Sequence, residues 1–598
     1  MGASSPTRRI RQTAAVTARD WWKSAVVYQV YPRSFADSDG DGVGDIRGII
    51  GKLDYLERLG VDVVWLSPVY RSPMADNGYD ISDYQDVDPL FGTLDDLDEL
   101  VAGLHARGMK LVMDLVVNHT SSAHAWFQES RSSTDNPKRD WYWWRDPREG
   151  FEPGTPGAEP TNWGSAFSGP AWTYDATTGQ YYLHLFAPEQ PDLNWENPEV
   201  RQAVYAMMNW WLDRGVDGFR MDVICLLSKV LVHGPDGRAQ LPDGRLERDP
   251  NGAGVVDTTK YGDTTPLVVN GPRIHEFMQE MHRAVFADRP PGLLTVGETP
   301  ATPVEQARLY TDPARGEVDM VFQFEHVDLD SGPRGKWDIV PMTMLDLKRS
   351  LGRWQEGLAE VGWNSLYLGN HDQPRCVSRF GNDAPEHREQ SAKSLATVLH
   401  LHRGTPYVYE GDELGLPNAR YTRIDQLRDV ESLNRYSEAV AAGQDPAAVM
   451  AALSAKGRDN ARVPMPWNDE ANGGFTTGTP WIDPHPDAAT INVAAQVDDP
   501  DSVFAHFQRL IALRHDQPVV AHGTFRMLLP DDERVYAFVR ELDGARLLVV
   551  ANLSDDDGVV ADIDEAGTWT LALGSVAGSS QTATDPLAPW ESRVYLTE

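Results

Sequence analysis

The feature that most constrains the fold of this chain is a repeated alternation of short apolar runs, rich in β-branched residues, with amphipathic helical segments. This alternation is typical of βα units, which build a parallel sheet. The candidate strands are residues 26–30, 61–66, 110–117, 216–222, 293–298, 318–322, 365–368 and 405–409. Eight strands with intervening helices over about 400 residues predict a closed (β/α)8 barrel, or TIM barrel, with insertions. A doubly wound open sheet is the alternative, but no G-x-G-x-x-G or P-loop motif follows any of the strands.

The predicted domain organisation follows from the places where this period stops. Residues 120–197 are rich in Trp, Pro, Gly and Asn and have no sustained period, and structureless loops of that length are uncommon in compact domains. We therefore predict an inserted subdomain there, and a surface excursion at the Gly-, Asp- and Pro-rich tract 232–270. Near the C-terminus, two apolar runs flank Asp543-Gly544, a hairpin signal that predicts a C-terminal antiparallel β-sandwich. The predicted boundaries are 20–119 and 198–519 for the barrel, 120–197 for the subdomain and 520–598 for the sandwich.

The charge and cysteine content exclude several classes of protein. The chain carries 54 Lys and Arg against 89 Asp and Glu, a formal net charge of −35. A surplus of that sign repels phosphate backbones and anionic lipid, so neither nucleic acid nor a membrane is an expected partner. Two cysteines, Cys225 and Cys376, cannot form a disulfide framework, and residues 1–20 lack the apolar core of a signal peptide. We expect a cytoplasmic protein, a monomer or small homo-oligomer, without an organic cofactor.

Polar side chains follow the predicted strands at the points where the strands end. Strand three ends in Asn118-His119, strand four in Arg220-Met221-Asp222, strand five in Glu298 and strand seven in Asn370-His371-Asp372. The carboxyl ends of the strands carry the active site in such barrels. A structural ion network is the alternative, but three carboxylates that each follow an apolar run favour a functional site.

Two carboxyl groups that face a small bound molecule are the apparatus of glycoside hydrolysis. One ionised group attacks the anomeric carbon, and the other, whose pKa must be raised, gives a proton to the leaving oxygen. Arg220 precedes Asp222 by two residues on one strand, so both side chains point to the same side. We therefore expect Arg220 to pair with Asp222 and to keep it ionised.

Five motifs occur in order along the chain: Tyr79-Asp80, Asp114-Leu-Val-Val-Asn-His119, Gly218-Phe-Arg-Met-Asp222, Val296-Gly-Glu298 and Asn370-His-Asp372. Together they resemble the conserved regions of glycoside hydrolase family 13, the α-amylase superfamily. Four further segments resemble the oligo-1,6-glucosidases and α-glucosidases of that family: Gln190-Pro-Asp-Leu-Asn-Trp195, Asn270-Gly-Pro-Arg-Ile-His275, Asn370-His-Asp-Gln-Pro-Arg375 and Gly457-Arg-Asp-Asn-Ala-Arg462. The resemblance covers about residues 20–598.

The resemblance implies a role for each matching residue. Asp222 is implied as the nucleophile, Glu298 as the acid/base, and Asp372 as the carboxylate that binds and distorts the sugar. The other implied sugar-binding residues are Asp76, Tyr79, His119, Arg220, His371 and Arg458. Asp76 and Arg458 are implied to hold the non-reducing 4- and 6-hydroxyls, which closes the pocket and makes cleavage exo.

Simpler interpretations of the implied sugar-binding residues stay open. Tyr79, implied as the stacking platform, could be plain core packing. Asp76 and Arg458 could form an ordinary ion pair, and Arg462 could stand in for Arg458.

A loop rich in aspartate follows the first strand. Asp37, Asp39, Asp41 and Asp45 offer oxygen ligands around turn-forming glycines, and hard oxygen ligands suit Ca²⁺ or Mg²⁺. Gly48 stands where an EF-hand has its bidentate Glu, so the loop is not a calcium sensor of that type. The resemblance implies a structural Ca²⁺ site, with Mg²⁺ as an alternative, formed by Asp37, Asp39, Asp41, the carbonyl of Val43 and Asp45. An Asp/Gly turn without an ion is the other interpretation.

The residue after the implied nucleophile bears on linkage preference. Val223 at this position accompanies activity on α-1,6 links in the family that the chain resembles, so we expect a retaining exo-α-glucosidase that releases glucose from isomaltose-type oligosaccharides. Thr299-Pro300 and the tract 232–270 depart from the commoner pattern. The alternatives are an α-1,4-preferring maltase, a transglucosylase or a sucrose isomerase on the same scaffold. A non-catalytic interaction protein of this fold is a more remote one.

Overall fold

A parallel eight-stranded barrel forms the centre of the molecule, in a computed structural model that describes residues 20–233, 239–244 and 261–597. Its strands are β1 (Val27–Val30), β2 (Val63–Leu66), β3 (Lys110–Leu115), β4 (Gly218–Met221), β5 (Leu294–Glu298), β6 (Met320–Phe322), β7 (Ser365–Leu366) and β8 (Thr405–Tyr409). They are hydrogen-bonded in the order β6-β5-β4-β3-β2-β1-β8-β7. A parallel bridge between Val321 and Asn364 joins the two ends. The predicted TIM barrel is therefore confirmed, and each strand lies within one of the eight predicted runs.

The barrel helices bury one face against the strands. They are Leu53–Leu59, Leu94–Ala106, Pro198–Asp213, Ile274–Met281, Val304–Thr311, Met344–Gly357, Arg388–Leu401 and Val503–Asp516. Local signals fix their ends: a capping box between Thr93 and Asp96 starts the second helix, and Gly60 ends the first in the left-handed region at φ 96°. The other described α-helices are Pro32–Phe35, Ile46–Ile50, Ala125–Ser132, Thr265–Val268, Cys376–Phe380, Val430–Ala441, Pro446–Lys456, Val493–Gln496 and Pro518–His522.

The long connection after β3 has a sheet of its own. Its strands lie in the antiparallel order Trp144–Arg145, Gln180–Leu183, Trp172–Asp175. The return to the barrel is fixed by backbone contacts, because Leu193 N–H donates to the Asn118 carbonyl at 2.9 Å and His119 forms a bridge with Asp192. This connection therefore lies over the carboxyl end of β3.

The C-terminal part is antiparallel, as predicted. Its described strands form one five-stranded sheet, in the order Thr524–Leu528, Val535–Leu542, Ala545–Asn552, Ser592–Thr597, Trp569–Gly574. Asp543 and Gly544 form the predicted hairpin turn, both at positive φ. One face of the sheet packs on the barrel helices, and a separate apolar cluster, which includes Val559 and Leu587, covers the other.

Several predictions concern residues that the structure does not describe or describes in part. The predicted absence of a signal peptide at 1–20 lies outside the described residues except for Asp20, and so do most of the residues in the predicted excursion at 232–270. Among the described residues, no helix combines the length and apolar character that crossing a membrane requires. Cys225 and Cys376 are both free thiols.

Candidate active site

The predicted catalytic carboxylates meet at the carboxyl end of the barrel. Asp222 directly follows β4, Glu298 is the last residue of β5, and Asp372 follows β7. All three line a cavity of about 420 Å³. Five other predicted site residues line the same cavity: Asp76, Tyr79, His119, Val223 and Arg458. The two remaining predicted sugar-binding residues, Arg220 and His371, are buried and contact the carboxylates that line it.

Arg220 joins three carboxylates under the floor of the cavity. Its Nη1 lies 2.8 Å from Asp222 Oδ1 and 3.0 Å from Asp114 Oδ1, and its Nη2 lies 2.7 Å from Glu298 Oε2. Its guanidinium also stacks over the Trp65 ring, 5.0 Å from the ring centre. Burial lowers the pKa of the Arg220 guanidinium, but the carboxylates outweigh burial and hold that pKa well above its usual value. The predicted contact with Asp222 is thus present, but the same cation also contacts Glu298.

From the sequence we expect Arg220 to keep Asp222 ionised, but the surroundings of Asp222 raise its pKa instead. Burial raises the pKa of the Asp222 carboxyl well above its usual range, and the nearby Glu298 carboxylate raises it further. Arg220 acts in the opposite direction but does not cancel these two effects. Burial in this cavity therefore disfavours the ionised form of Asp222 relative to the same carboxyl in water.

Two neutral imidazoles and one phenol shape the wall next to the carboxylates. The Tyr79 ring stacks on the His371 ring with centres 5.1 Å apart and planes at 7°, and its hydroxyl donates to Asp114 Oδ2 at 2.9 Å. Burial lowers the pKa of His371 to about 3 and that of His119 to about 4, so both rings are neutral donors or acceptors. His119 Nε2 donates to the Tyr79 carbonyl at 3.1 Å. The stack on His371 holds the Tyr79 ring as a rigid wall of the cavity.

A second ionic cluster is centred on Arg458, which lines the cavity. Arg458 Nη2 lies 3.0 Å from Asp76 Oδ1, and its Nη1 lies 3.2 Å from Asp372 Oδ1. Burial raises the pKa of Asp76 to about 6. Burial also raises the pKa of Asp372, but His371, Arg458 and Arg462 outweigh burial and hold it well below its usual range. Arg462 contacts Asp372 at 2.7 Å but does not line the cavity, so Arg458 is the arginine that a sugar would meet.

Residues outside the predicted set complete this cluster. Asp429 is fully buried, accepts from Arg458 Nε at 2.8 Å and caps the helix Val430–Ala441 through Ser432 N–H. Gln190 donates to Asp76 Oδ2 at 3.1 Å. The sequence signal for Asp429 was only that of a helix cap, which does not indicate its distant arginine partner. Other lining residues that the sequence did not single out are Phe167, Phe186, Phe324, Lys336, Gln373 and Glu431.

The aspartate loop after β1 gathers three of its four carboxylates. Oxygens of Asp37, Asp39 and Asp45 lie within 4.8 Å of one another, whereas Asp41 is not part of this group. Asp45 also caps the helix Ile46–Ile50 by accepting from Gly48 N–H at 2.7 Å. A donor set made only of carboxylate oxygens fits a hard divalent cation. The loop is held by the segment around Trp481, whose N–H donates to the Gly42 carbonyl at 3.0 Å.

Comparison with known proteins agrees with this geometry. Residues 29–523 match the family described as "Alpha amylase, catalytic domain". The chain belongs to this family. Residues 524–594 match a second family, described as a domain of unknown function, DUF3459. The family and the carboxylate site together make the chain a glycoside hydrolase.

Its relatives are similar along almost the whole chain. An oligo-1,6-glucosidase of Parageobacillus thermoglucosidasius is 53% identical over 582 residues, which cover 96% of this chain and 99% of that protein. The crystal structure of a trehalose-6-phosphate hydrolase of Bacillus licheniformis has a TM-score of 0.86 at 43% identity, with 97% and 100% of the two chains covered. The trehalulose synthase of Pseudomonas mesoacidophila MX-45 has a TM-score of 0.86 at 40% identity, with 97% and 99% covered.

Proposed function

We propose that the chain is a retaining exo-α-glucosidase that releases glucose from short α-1,6-linked oligosaccharides. The observation that carries the mechanism is the sharing of one guanidinium by Asp222 and Glu298, at 2.8 and 2.7 Å. Carboxyl groups on adjacent nitrogens of one guanidinium are close neighbours. Retaining glycosidases have their two carboxyl groups about 5–5.5 Å apart, whereas inverting enzymes need about 6.5–9.5 Å to admit a water molecule.

In the first step, an oxygen of Asp222 forms a bond to the anomeric carbon while the bond from that carbon to the leaving oxygen breaks. Glu298 gives its proton to the leaving oxygen, so the first product leaves as an alcohol. In the second step, Glu298 takes a proton from water, whose oxygen attacks the same carbon and releases Asp222 as a carboxylate. Two inversions give net retention. Arg220 stabilises the negative charge that remains on the carboxyl groups in both steps.

The exo mode of cleavage is proposed from the clamp at the closed end of the pocket. Asp76 and Arg458 are buried, bonded to each other at 3.0 Å, and both line the cavity. A carboxylate and a guanidinium side by side can accept from and donate to adjacent sugar hydroxyls. A chain that continued past this pair would collide with it, so a terminal sugar fits and an internal one does not.

The α-1,6 preference is proposed from Val223, whose buried side chain lines the cavity next to Asp222. The similarity of the chain to a protein named oligo-1,6-glucosidase supports the same preference. Glucose release from isomaltose and maltose at equal concentration tests it directly. Faster release from isomaltose supports the proposal, whereas faster release from maltose moves the enzyme to the α-1,4-preferring class. Release of an isomerised disaccharide from sucrose would favour the isomerase alternative.

The roles of the two carboxyl groups are tested by substitution with substrates of different leaving groups. We expect Asp222→Asn to abolish hydrolysis of every α-glucoside. Glu298→Gln should lose far more activity on isomaltose than on 4-nitrophenyl α-glucoside, because a nitrophenolate leaves without a proton. NMR should show α-glucose as the first product. Substantial residual activity in Asp222→Asn, or β-glucose as the first product, would overturn the assignment.

We also propose that the aspartate loop binds Ca²⁺, or Mg²⁺ in its place. Asp37, Asp39 and Asp45 would hold the ion through carboxylate oxygens, with the Val43 carbonyl and Asp41 as the other predicted ligands. The ion would neutralise clustered negative charge and stabilise the loop, and the ion takes no part in bond cleavage. A cytoplasmic location and a monomeric or small homo-oligomeric state stay predictions, which cell fractionation and light scattering test.

A further inference from the structure

An ion pair that the mechanism does not use lines the cavity next to Arg458 and is more exposed than the Asp76–Arg458 clamp. In the exo mode proposed above, the leaving group extends from the clamp towards this more exposed part of the wall. Lys336 Nζ lies 2.7 Å from Glu431 Oε2, and both residues line the cavity. Lys336 belongs to the hairpin strand Gly335–Ile339, and Glu431 lies in the first turn of the helix Val430–Ala441. Two separate insertions of the barrel therefore meet at this point.

The charges that line the cavity are unbalanced. Among the described lining residues, five carry carboxyl groups, namely Asp76, Asp222, Glu298, Asp372 and Glu431, and two are cations, Lys336 and Arg458. Arg458 is already bonded to Asp76, Asp372 and Asp429. Lys336 is bonded to Glu431 and stacks over the Trp337 ring. No lining cation among the described residues is therefore left without a carboxylate partner.

We propose that the Lys336–Glu431 pair selects uncharged leaving groups and excludes anionic ones, such as sugar phosphates, from this cavity. The inference rests on the proposed α-glucosidase function and specifies its substrate class. Glu431 neutralises the charge of Lys336, the one described lining cation outside the Asp76–Arg458 clamp. An anionic leaving group would therefore face the lining carboxylates without an unpaired cation to bind it. Selection by charge is relevant to this fold, because a solved relative is named trehalose-6-phosphate hydrolase.

The pair has the exposure that such a role requires. The Lys336 side chain is 28% exposed and that of Glu431 13%, so the pair is desolvated enough to act over several ångströms and open enough to meet a ligand. Glu431 Oε2 also lies 3.6 Å from Arg458 Nε. Loss of the Glu431 charge would therefore leave two cations less compensated, whereas loss of the Lys336 charge would leave the carboxylate in place.

The test compares two aryl α-glucosides that differ in charge. The neutral probe is 4-nitrophenyl α-glucoside and the anionic probe is 4-carboxyphenyl α-glucoside. The measured quantity is the ratio of kcat/KM for the anionic probe to kcat/KM for the neutral one, because the difference in leaving-group reactivity cancels between variants. We expect Glu431→Gln to raise this ratio at least about tenfold. Lys336→Gln should lower it.

A matched control and a salt titration complete the experiment. Lys138 and Glu129 form a pair of similar geometry, 2.6 Å apart and 25% and 49% exposed, away from the cavity. Glu129→Gln should leave the ratio unchanged.

In the unsubstituted enzyme, rising ionic strength should raise the ratio, because salt screens the repulsion between the carboxylates and the anionic probe. This experiment does not depend on the folding of a variant. Maltose that carries a phosphate on its reducing glucose should behave like the anionic aryl probe.

The outcomes distinguish failure of the proposed function from failure of the selection by charge. If the unsubstituted enzyme does not hydrolyse the neutral probe, the proposed α-glucosidase function fails. If it does hydrolyse that probe, but Glu431→Gln leaves the ratio within about twofold or the ratio does not respond to salt, the selection by charge is overturned. A ratio that rises equally in Glu129→Gln would overturn it as well.

Discussion

Replacement of Arg220 by lysine tests the proposed chemistry at its most connected residue. Arg220 is 1% exposed, and its two terminal nitrogens contact Asp114, Asp222 and Glu298 at 2.7–3.0 Å. Lysine keeps the positive charge but has a single terminal nitrogen in place of the planar fork of arginine. It cannot contact Asp222, Glu298 and Asp114 at once. The substitution therefore removes shared hydrogen bonding while it preserves the net charge.

The size of the effect follows from the hydrogen bonds that lysine cannot form. A hydrogen bond to a charged group contributes about 1.5–3 kcal/mol. Removal of two of the three carboxylate hydrogen bonds would cost about 3–6 kcal/mol, which corresponds to a decrease in kcat/KM of about 10²- to 10⁴-fold. The hydrogen bond from Arg220 lowers the pKa of Asp222, so its loss in the lysine variant should also move the acidic limb of the pH profile upward.

The assay is kcat/KM for 4-nitrophenyl α-glucoside across pH, with thermal unfolding as a check on the fold. Arg214→Lys is the matched control, since Arg214 forms a half-exposed pair with Asp98 at 2.8 Å on the barrel surface. The control should keep its activity within about twofold, because exposed pairs contribute little. A folded Arg220→Lys variant with near-normal kcat/KM and an unmoved acidic limb would refute the reasoning.

Three further predictions concern other parts of the molecule. As the pH is lowered, the activity of the unsubstituted enzyme should begin to fall well above about pH 4, the usual pKa of an aspartate, because only ionised Asp222 attacks and its pKa is raised. An acidic limb at about pH 4 in the plot of kcat/KM against pH would contradict this. Asp76→Asn removes the charge that faces Arg458 and should raise KM for isomaltose by about tenfold or more, since a charged hydrogen bond is lost; an unchanged KM in initial-rate kinetics would remove Asp76 from the clamp. In calorimetry, Ca²⁺ should raise the melting temperature of the unsubstituted enzyme but not that of the Asp37→Asn variant, and both proteins should retain their kcat/KM at 25 °C. An equal rise in the melting temperature of both proteins would place the ion elsewhere.

The barrel and the meeting of the three carboxylates at its rim could be predicted because their signals are local. Each barrel strand is a short, buried apolar run, and Asp222, Glu298 and Asp372 follow or end such runs. Parallel strands of a closed barrel bring their carboxyl ends to one rim, so position along the chain is sufficient to place these residues together. No long-range contact has to be known for that step.

The far side of the pocket could not be predicted in the same way. Lys336 and Glu431 are 95 residues apart and come from a hairpin and a helix that are not part of the βα period. The sequence around Asp429 indicates a helix cap, and that is one of its two roles. The contact between the hairpin and the helix depends on tertiary packing. The sequence of these two segments has no periodic signal that would predict this contact.

Val223 shows how backbone geometry adds to what a motif indicates. Its φ of 36° and ψ of 43° lie in the left-handed region, where a β-branched residue is strained by about 1–3 kcal/mol. In this conformation the Val223 N–H lies 3.2 Å from Glu298 Oε2, and the side chain packs in the apolar cluster with Leu226. The residue thus links Glu298 to the wall of the cavity through one strained peptide. A substitution at Val223 should therefore change both the shape of the pocket and the hydrogen bond to Glu298, so any effect on linkage preference would come from the backbone as well as from the side chain.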